Sequence, residues 1–125
     1  MPTTARTAAA AVCGARIAYA VGLIVAPTRL TRTWFGPPAV QPSTQIPLRG
    51  LAVREVGLAA GGLLAALTGA PVRPWLAAQV AGDLSDIAAS LYGRNGIPPK
   101  AIPAVAVVGG SSAALTAGVA LAVDA

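Results

Sequence analysis

The chain has 125 residues, of which 55% are hydrophobic and only 10% are charged, so it lacks the polar coat that a soluble domain of this size needs. The net charge of +5 does not indicate a nucleic-acid partner, because the basic residues are sparse and form no stripe with interleaved aromatic residues. There is no histidine and only one cysteine, Cys13, which excludes an internal disulfide, a zinc cluster and a histidine-activated nucleophile, so no cofactor or metal is predicted.

Four apolar segments, 8–26, 50–69, 74–93 and 101–123, follow one another along the chain. Each is close to the roughly 20 residues that cross a bilayer as a helix. The proline-rich linker between the first two predicts an ordered or polyproline-like loop, and the short turns "APVRP" and "GRNGIPPK" predict antiparallel neighbours. The sequence therefore predicts a single all-α domain, an antiparallel bundle of four transmembrane helices.

The first segment has an alternative interpretation as a cleaved signal peptide. Arg6 precedes it, and "AYA" at 18–20 imitates a cleavage site. Arg16 in the middle of the apolar run argues against this alternative.

Basic residues are unevenly distributed between the two sets of loops. The first and third loops contain Arg29, Arg32, Arg49, Arg94 and Lys100. The termini and the second loop contain Arg6, Arg73 and Asp124. The positive-inside rule predicts a multi-pass protein of the inner (plasma) membrane with loops one and three in the cytoplasm.

Five charged residues lie inside the predicted spans: Arg16, Arg54, Glu55, Asp83 and Asp86. Each costs at least about 2.5–3.5 kcal/mol near mid-bilayer unless it is paired. All of them are predicted to fall at similar depths, between mid-membrane and the cytoplasmic face. We expect Arg16 and Arg54 to pair with Asp83 and Asp86, whereas Glu55 points about 100° from Arg54, toward the first helix or another subunit.

The spacing of the polar residues predicts one inward stripe on each of the first three helices. These stripes are Val12, Arg16, Tyr19 and Leu23, then Gly50, Arg54, Gly57 and Gly61, then Gln79, Asp83, Asp86 and Ser90. On the fourth helix, "GGSSAALTAG" predicts a small-residue packing face.

Three stretches, "GARIAYAVGLIVAP", "LRGLAVREVGLAAGGLL" and "AGDLSDIAASL", resemble small four-helix actinobacterial membrane proteins of a domain-of-unknown-function family. The matching positions are Arg16, Gly22 and Pro27, then Arg49, Gly50, Arg54 and Gly57, then Asp83 and Asp86. The resemblance leaves the fourth helix unmatched. It implies a four-span fold with the same polar positions and no particular reaction.

These residues predict a polar pocket for a lipophilic small molecule within the bilayer. A carboxyl group in an apolar pocket keeps its proton at neutral pH and can act as an acid, which suits a membrane-embedded cyclase, an isomerase or epoxide opening. The predicted catalytic residues are Asp83 as acid, Asp86 as its partner, and Arg54 and Arg16 as orienting groups. The predicted substrate-binding residues are Tyr19, Gln79, Glu55 and Ser90.

Three other hypotheses remain open at this point. The ion pairs could lock helix register and nothing more. The protein could be a proton-coupled carrier that works as a homo-oligomer, or an accessory subunit that docks onto a larger membrane enzyme.

Overall fold

The computed structural model describes residues 3–124, and this part of the chain is all-α and contains no strand. The helices are α1 (Thr4–Val25), α2 (Pro27–Phe35), α3 (Pro42–Thr68), α4 (Arg73–Tyr92) and α5 (Ala101–Ala122), with 3-10 turns at Pro37–Val40 and Arg94–Gly96. The four segments predicted to be helical correspond to α1, α3, α4 and α5.

Local chemistry explains where the helices begin and end. Thr3 caps α1, since its Oγ1 accepts a hydrogen bond from the backbone N–H of Arg6 at 3.1 Å. Pro27 and Pro42 stand at the first positions of α2 and α3, where the missing N–H costs nothing. Gly69 ends α3 in the left-handed conformation, at a φ of 83°.

The prediction of a loop between the first two spans is wrong. Residues 27–50 form α2, a 3-10 turn and the first two turns of α3, so α3 begins at Pro42 and not near Gly50. The prolines that predicted a loop mostly begin helical segments. Only Pro47 lies inside a helix, where it removes one hydrogen bond.

The four long helices form a ring in which each contacts two antiparallel neighbours. Helix α1 packs against α3 and α5, and α4 packs against the same two helices. The antiparallel pairing of α1 with α3 is visible at both ends: Arg6 donates to the carbonyl of Ala66 at 3.2 Å, and Arg49 donates to that of Ile24 at 3.2 Å. Trp75 of α4 packs against Gly61 of α3, where a side chain on the glycine would overlap the indole ring.

Asp124 ties both ends of the chain to the turn between α3 and α4. Its Oδ2 accepts hydrogen bonds from the backbone N–H groups of Val72 and Arg73, both at 2.8 Å, and its Oδ1 lies 3.3 Å from Nη1 of Arg6. The backbone N–H of Arg73, followed by that of Val72 and the charge of Arg6, holds the pKa of Asp124 below its usual range. We call this end of the bundle, with both described chain ends and the turn, the terminal end.

The interior of the bundle differs between its two halves. Near the terminal end it is filled by small and aliphatic side chains. The buried residues of this apolar core are Ala9, Cys13, Ala59, Ala65, Ala66, Val72, Leu76, Ala120 and Val123. The other half, which is capped by α2, contains Arg16, Glu55, Asp83 and Asp86 and encloses a cavity.

Three helices of the described chain, α1, α3 and α5, are long and apolar enough to cross a membrane. Their outer surfaces carry large aliphatic side chains that are mostly exposed, such as Leu64, Leu115 and Leu121. Lipid accommodates such surfaces and water does not. Helix α4 is of similar length, but Gln79 and two aspartates make it less apolar, and it is not one of the three.

Candidate functional site

Arg16 is the centre of a buried ionic cluster that joins three helices. Its Nη1 lies 2.8 Å from Oε1 of Glu55 and 3.2 Å from Oδ1 of Asp83, and its Nη2 also binds Oδ2 of Asp83. Nη2 further donates to the hydroxyl of Thr116 on α5 at 3.0 Å. The side chain of Arg16 is only 9% exposed, so these contacts replace water for its two terminal nitrogens, whereas its Nε is buried without a hydrogen-bond partner among residues 3–124.

The predicted pairing of Arg16 with Asp83 is confirmed. Glu55 was expected to face either the first helix or another subunit, and it faces the first helix. The predicted pairing of Arg54 is wrong: Arg54 is exposed and forms no ion pair within residues 3–124. Arg54 and Glu55 are adjacent on α3, so only one of them can point into the bundle. The acid lies inside because the basic partner comes from α1.

The predicted inward stripes are confirmed on α1 and α4 but not on α3. On α3 the inward stripe is wrong, since Gly50, Arg54 and Gly57 are all exposed. The stripe on α1 is confirmed, because all four of its residues line a cavity, described next. The α4 stripe also lies inward, with Gln79 and Ser90 buried and both aspartates half-buried.

A cavity of about 290 Å³ lies beside the ionic cluster, in the half of the bundle away from the terminal end. Tyr19, Val108 and Leu115 line it and are nevertheless 49%, 61% and 61% exposed, so they stand at its mouth between α1 and α5. The remaining lining residues are Val12, Ala15, Arg16, Leu23, Trp34, Leu51, Glu55, Asp83, Asp86, Val105, Gly109, Ser112 and Thr116. The cavity thus has apolar walls and a charged floor, and it opens sideways from the bundle.

Asp86 differs from the other two acids of the cavity. It lies one helical turn from Asp83 along α4 and lines the same space. Among residues 3–124 its carboxylate makes no hydrogen bond and no ion pair; only its backbone carbonyl accepts one, from the hydroxyl of Ser90 at 2.8 Å. Asp86 is therefore the one acid of the cavity whose carboxylate is free to exchange a proton or to contact a ligand.

Helix α2, which lies where a loop was predicted, forms one wall of the cavity. Trp34 lines the cavity, and its Nε1 donates to the hydroxyl of Ser90 on α4 at 2.8 Å. The indole is also stacked on Phe35, with 4.5 Å between ring centroids. The hydrogen bond to Ser90 holds α2 against α4, and both contacts fix the tryptophan ring beside the cavity.

Two predicted substrate-binding residues lie outside the cavity lining. Gln79 is fully buried next to the apolar core, where its Nε2 donates to the carbonyl of Leu58 at 3.4 Å and contacts Sγ of Cys13 at 3.8 Å. Ser90 is buried behind Trp34 and holds it in place. The other two, Tyr19 and Glu55, line the cavity.

Sequence analysis missed the contribution of α5. Gly109, Ser112 and Thr116 line the cavity, and Thr116 binds Arg16 directly. The stretch that contains them was assigned to packing alone. Their spacing of i, i+3 and i+7 places them on one face of a helix, and that face could have been recognised as a polar stripe.

The acids of the cavity outnumber its bases. The whole chain has four acidic residues and nine basic ones, yet Glu55, Asp83 and Asp86 all line this cavity with Arg16 as the only basic residue among its lining. The described residues contain no group of three side chains of the metal-binding types that could hold a metal ion. The arrangement can hold a positive charge or move a proton.

The fold and this cluster define a small, helical, multi-pass membrane protein with a buried arginine that forms salt bridges to a glutamate and an aspartate. Comparison with protein-family models, curated proteins and solved structures finds no match to the chain.

Proposed function

We propose that this protein binds a lipophilic small molecule in the cavity beside Arg16 and acts on it by acid–base chemistry that needs no cofactor. The observation that carries the proposal is the free carboxylate of Asp86 in a cavity with apolar walls, next to an arginine whose terminal nitrogens are bonded to other residues. The reactions in question are cyclisation, isomerisation and epoxide opening.

The mouth of the cavity supports a lipophilic substrate. It lies between α1 and α5, two of the helices with membrane-length apolar surfaces, and its edges include exposed Val108 and Leu115. In a bilayer such a mouth faces the acyl chains. A molecule dissolved in the lipid can therefore enter sideways without crossing water.

The chemistry follows from the difference between the three acids. Asp86 in its protonated form gives its proton to an epoxide oxygen or an alkene carbon of the substrate, and the positive charge that develops lies near the carboxylates of Glu55 and Asp83. A neighbouring carbon then loses a proton to the Asp86 carboxylate, a C–C double bond forms, and the acid is restored. No redox equivalent or second reactant enters this cycle.

These roles differ from those predicted from the sequence, where Asp83 was the acid. Asp83 receives two hydrogen bonds from Arg16, and a proton on its carboxyl group would compete with them. In the proposal Asp83 and Glu55 remain bonded to Arg16, and Asp86 exchanges the proton. Arg54 has no role, because its side chain is exposed outside the cavity.

The test uses purified protein in lipid nanodiscs with two probes, an epoxidised linear isoprenoid and a β,γ-unsaturated ketone, and measures products by gas chromatography with mass detection. Asp86→Asn keeps the side-chain shape and removes the proton, so we expect conversion to fall by about 10²–10⁴-fold. The matched control is Ser85→Ala, an exposed neighbour on the same helix that should leave conversion unchanged. Equal conversion by Asp86→Asn and the wild type, or no conversion by folded wild type, would contradict the catalytic proposal.

The proposal includes four membrane crossings, with α4 as the fourth. Burial of its polar stripe against the other helices supports this, since the charged residues of a spanning helix face the bundle interior. In a Cys13→Ala background, Ala70→Cys should react with an impermeant maleimide added to intact cells, and Asn95→Cys only after permeabilisation. Labelling of both positions from the same side would show that α4 does not cross, and the reversed pattern would invert the proposed orientation.

The apolar core favours an enzyme over a proton-coupled carrier. Between the cavity and the terminal end lie fully buried residues such as Ala9, Cys13 and Leu76, with no carboxyl group among those of the apolar core, so no series of carboxylates leads a proton through it. The resemblance to small actinobacterial membrane proteins, and docking onto a larger membrane enzyme, remain further proposals that rest on sequence alone.

A further inference from the structure

The sign of the charge in the cavity is opposite to that of the protein. The chain carries a net charge of +5, whereas three of its four acidic residues line this cavity beside a single arginine. By formal charge, Glu55, Asp83 and Arg16 leave one excess negative charge, and Asp86 adds a second once it has given up its proton, as it has at the cationic stage of the proposed reaction. In the low dielectric of a membrane such an excess interacts strongly with any charge that enters.

We infer that the cavity selects a lipophilic cation: a molecule, or a reaction intermediate, with an apolar body and one positive charge. The inference rests on the proposed function, and it names the charge of the species that the same cavity binds most tightly. A neutral substrate that becomes cationic during the reaction is consistent with this inference, because a catalytic site is complementary to the transition state.

The positions of the groups favour a cation over a neutral or anionic ligand. The two terminal nitrogens of Arg16 are bonded to Glu55, Asp83 and Thr116, and its unpaired Nε is buried, so the guanidinium is not available to bind an anion. Asp86 is the acid without such a partner.

Two aromatic residues stand beside the acids. Trp34 and Tyr19 both line the cavity, and aromatic rings attract cations in desolvated sites. The apolar walls then accommodate the uncharged body of the molecule.

The two tryptophans of the chain provide a reporter and its control. Trp34 lines the cavity, and Trp75 packs on Gly61 at the terminal end, outside it. Trp75→Phe leaves Trp34 as the only tryptophan, and Trp34→Phe leaves Trp75. Trp75→Tyr serves if Trp75→Phe does not fold.

Brominated dodecyltrimethylammonium, dodecanol and dodecanoate are titrated into nanodiscs of zwitterionic lipid, and quenching of tryptophan fluorescence is measured. Quenching of Trp75 reports partition into the lipid, and the excess at Trp34 reports binding in the cavity. We expect the ammonium probe to quench Trp34 at an about tenfold lower concentration than the other two, after correction for Trp75. Asp86→Asn should abolish this preference, whereas Asp124→Asn, which removes a carboxylate far from the cavity, should retain it.

The possible outcomes separate the inference from the proposed function. If dodecanol and the ammonium probe quench Trp34 equally, or if the preference survives Asp86→Asn, the cation inference is wrong and the lipophilic cavity stands. If no probe quenches Trp34 beyond Trp75, both the inference and the proposed lipophilic ligand are wrong.

Discussion

Replacing Arg16 by methionine tests the ionic cluster most directly. The change keeps a long unbranched side chain but removes the hydrogen bonds to Glu55, Asp83 and Thr116. The two carboxylates, only 21% and 14% exposed, would then face each other without a cation. Breaking a buried pair by removing one partner costs about 3–5 kcal/mol, so we expect a loss of that size in the free energy of unfolding.

The measurement is an unfolding titration with dodecyl sulfate from mild detergent micelles, followed by circular dichroism. Arg54→Met is the matched control: it removes the same group next to Glu55 on α3, but from an exposed position, and should change stability by less than about 0.5 kcal/mol. The triple variant Arg16→Met, Glu55→Gln, Asp83→Asn should recover about half or more of the loss, because no uncompensated charge remains. A loss below about 1 kcal/mol for Arg16→Met, typical of an exposed pair, would refute the buried cluster.

Three further predictions concern packing, pH and the wall of the cavity. Gly61→Ala should destabilise the protein by about 1–3 kcal/mol in the same titration because its methyl group would overlap an indole ring, whereas Gly57→Ala, with open space around it, should not destabilise. Folding lowers the pKa of Asp124, so its contacts stabilise the fold fully at pH values above its unfolded pKa of about 3.9. This stabilisation is lost as the pH falls through the lower pKa of the folded state. Thermal unfolding measured against pH should show that loss for the wild type and not for Asp124→Asn. A double-mutant cycle of Trp34→Phe and Ser90→Ala should give a coupling of about 0.5–1.5 kcal/mol, and no coupling would contradict the hydrogen bond that joins α2 to α4.

The sequence by itself determined the helical class and the approximate extent of the long helices. Apolar segments of about 20 residues leave no better solution in lipid than helices, because every backbone polar group must be satisfied within the segment. It also predicted that Arg16 pairs with the aspartates of α4, which Asp83 confirms, although it predicted the same for Arg54. A charge in the middle of an apolar helix needs a partner of opposite sign, and the helical period placed both residues on inward faces.

Only the tertiary structure decided which of the two adjacent residues, Arg54 or Glu55, faces inward. It also decided that a helix, α2, closes the end of the cavity. Two adjacent residues on a helix point about 100° apart, so local pattern leaves the choice open until the rotation of α3 against α1 is known. The prolines before α2 and α3 predict a loop equally well, since proline begins helices as readily as it interrupts them. The cavity itself, with α5 and Trp34 in its walls, depends on contacts between distant segments, and the period of a single helix does not encode them.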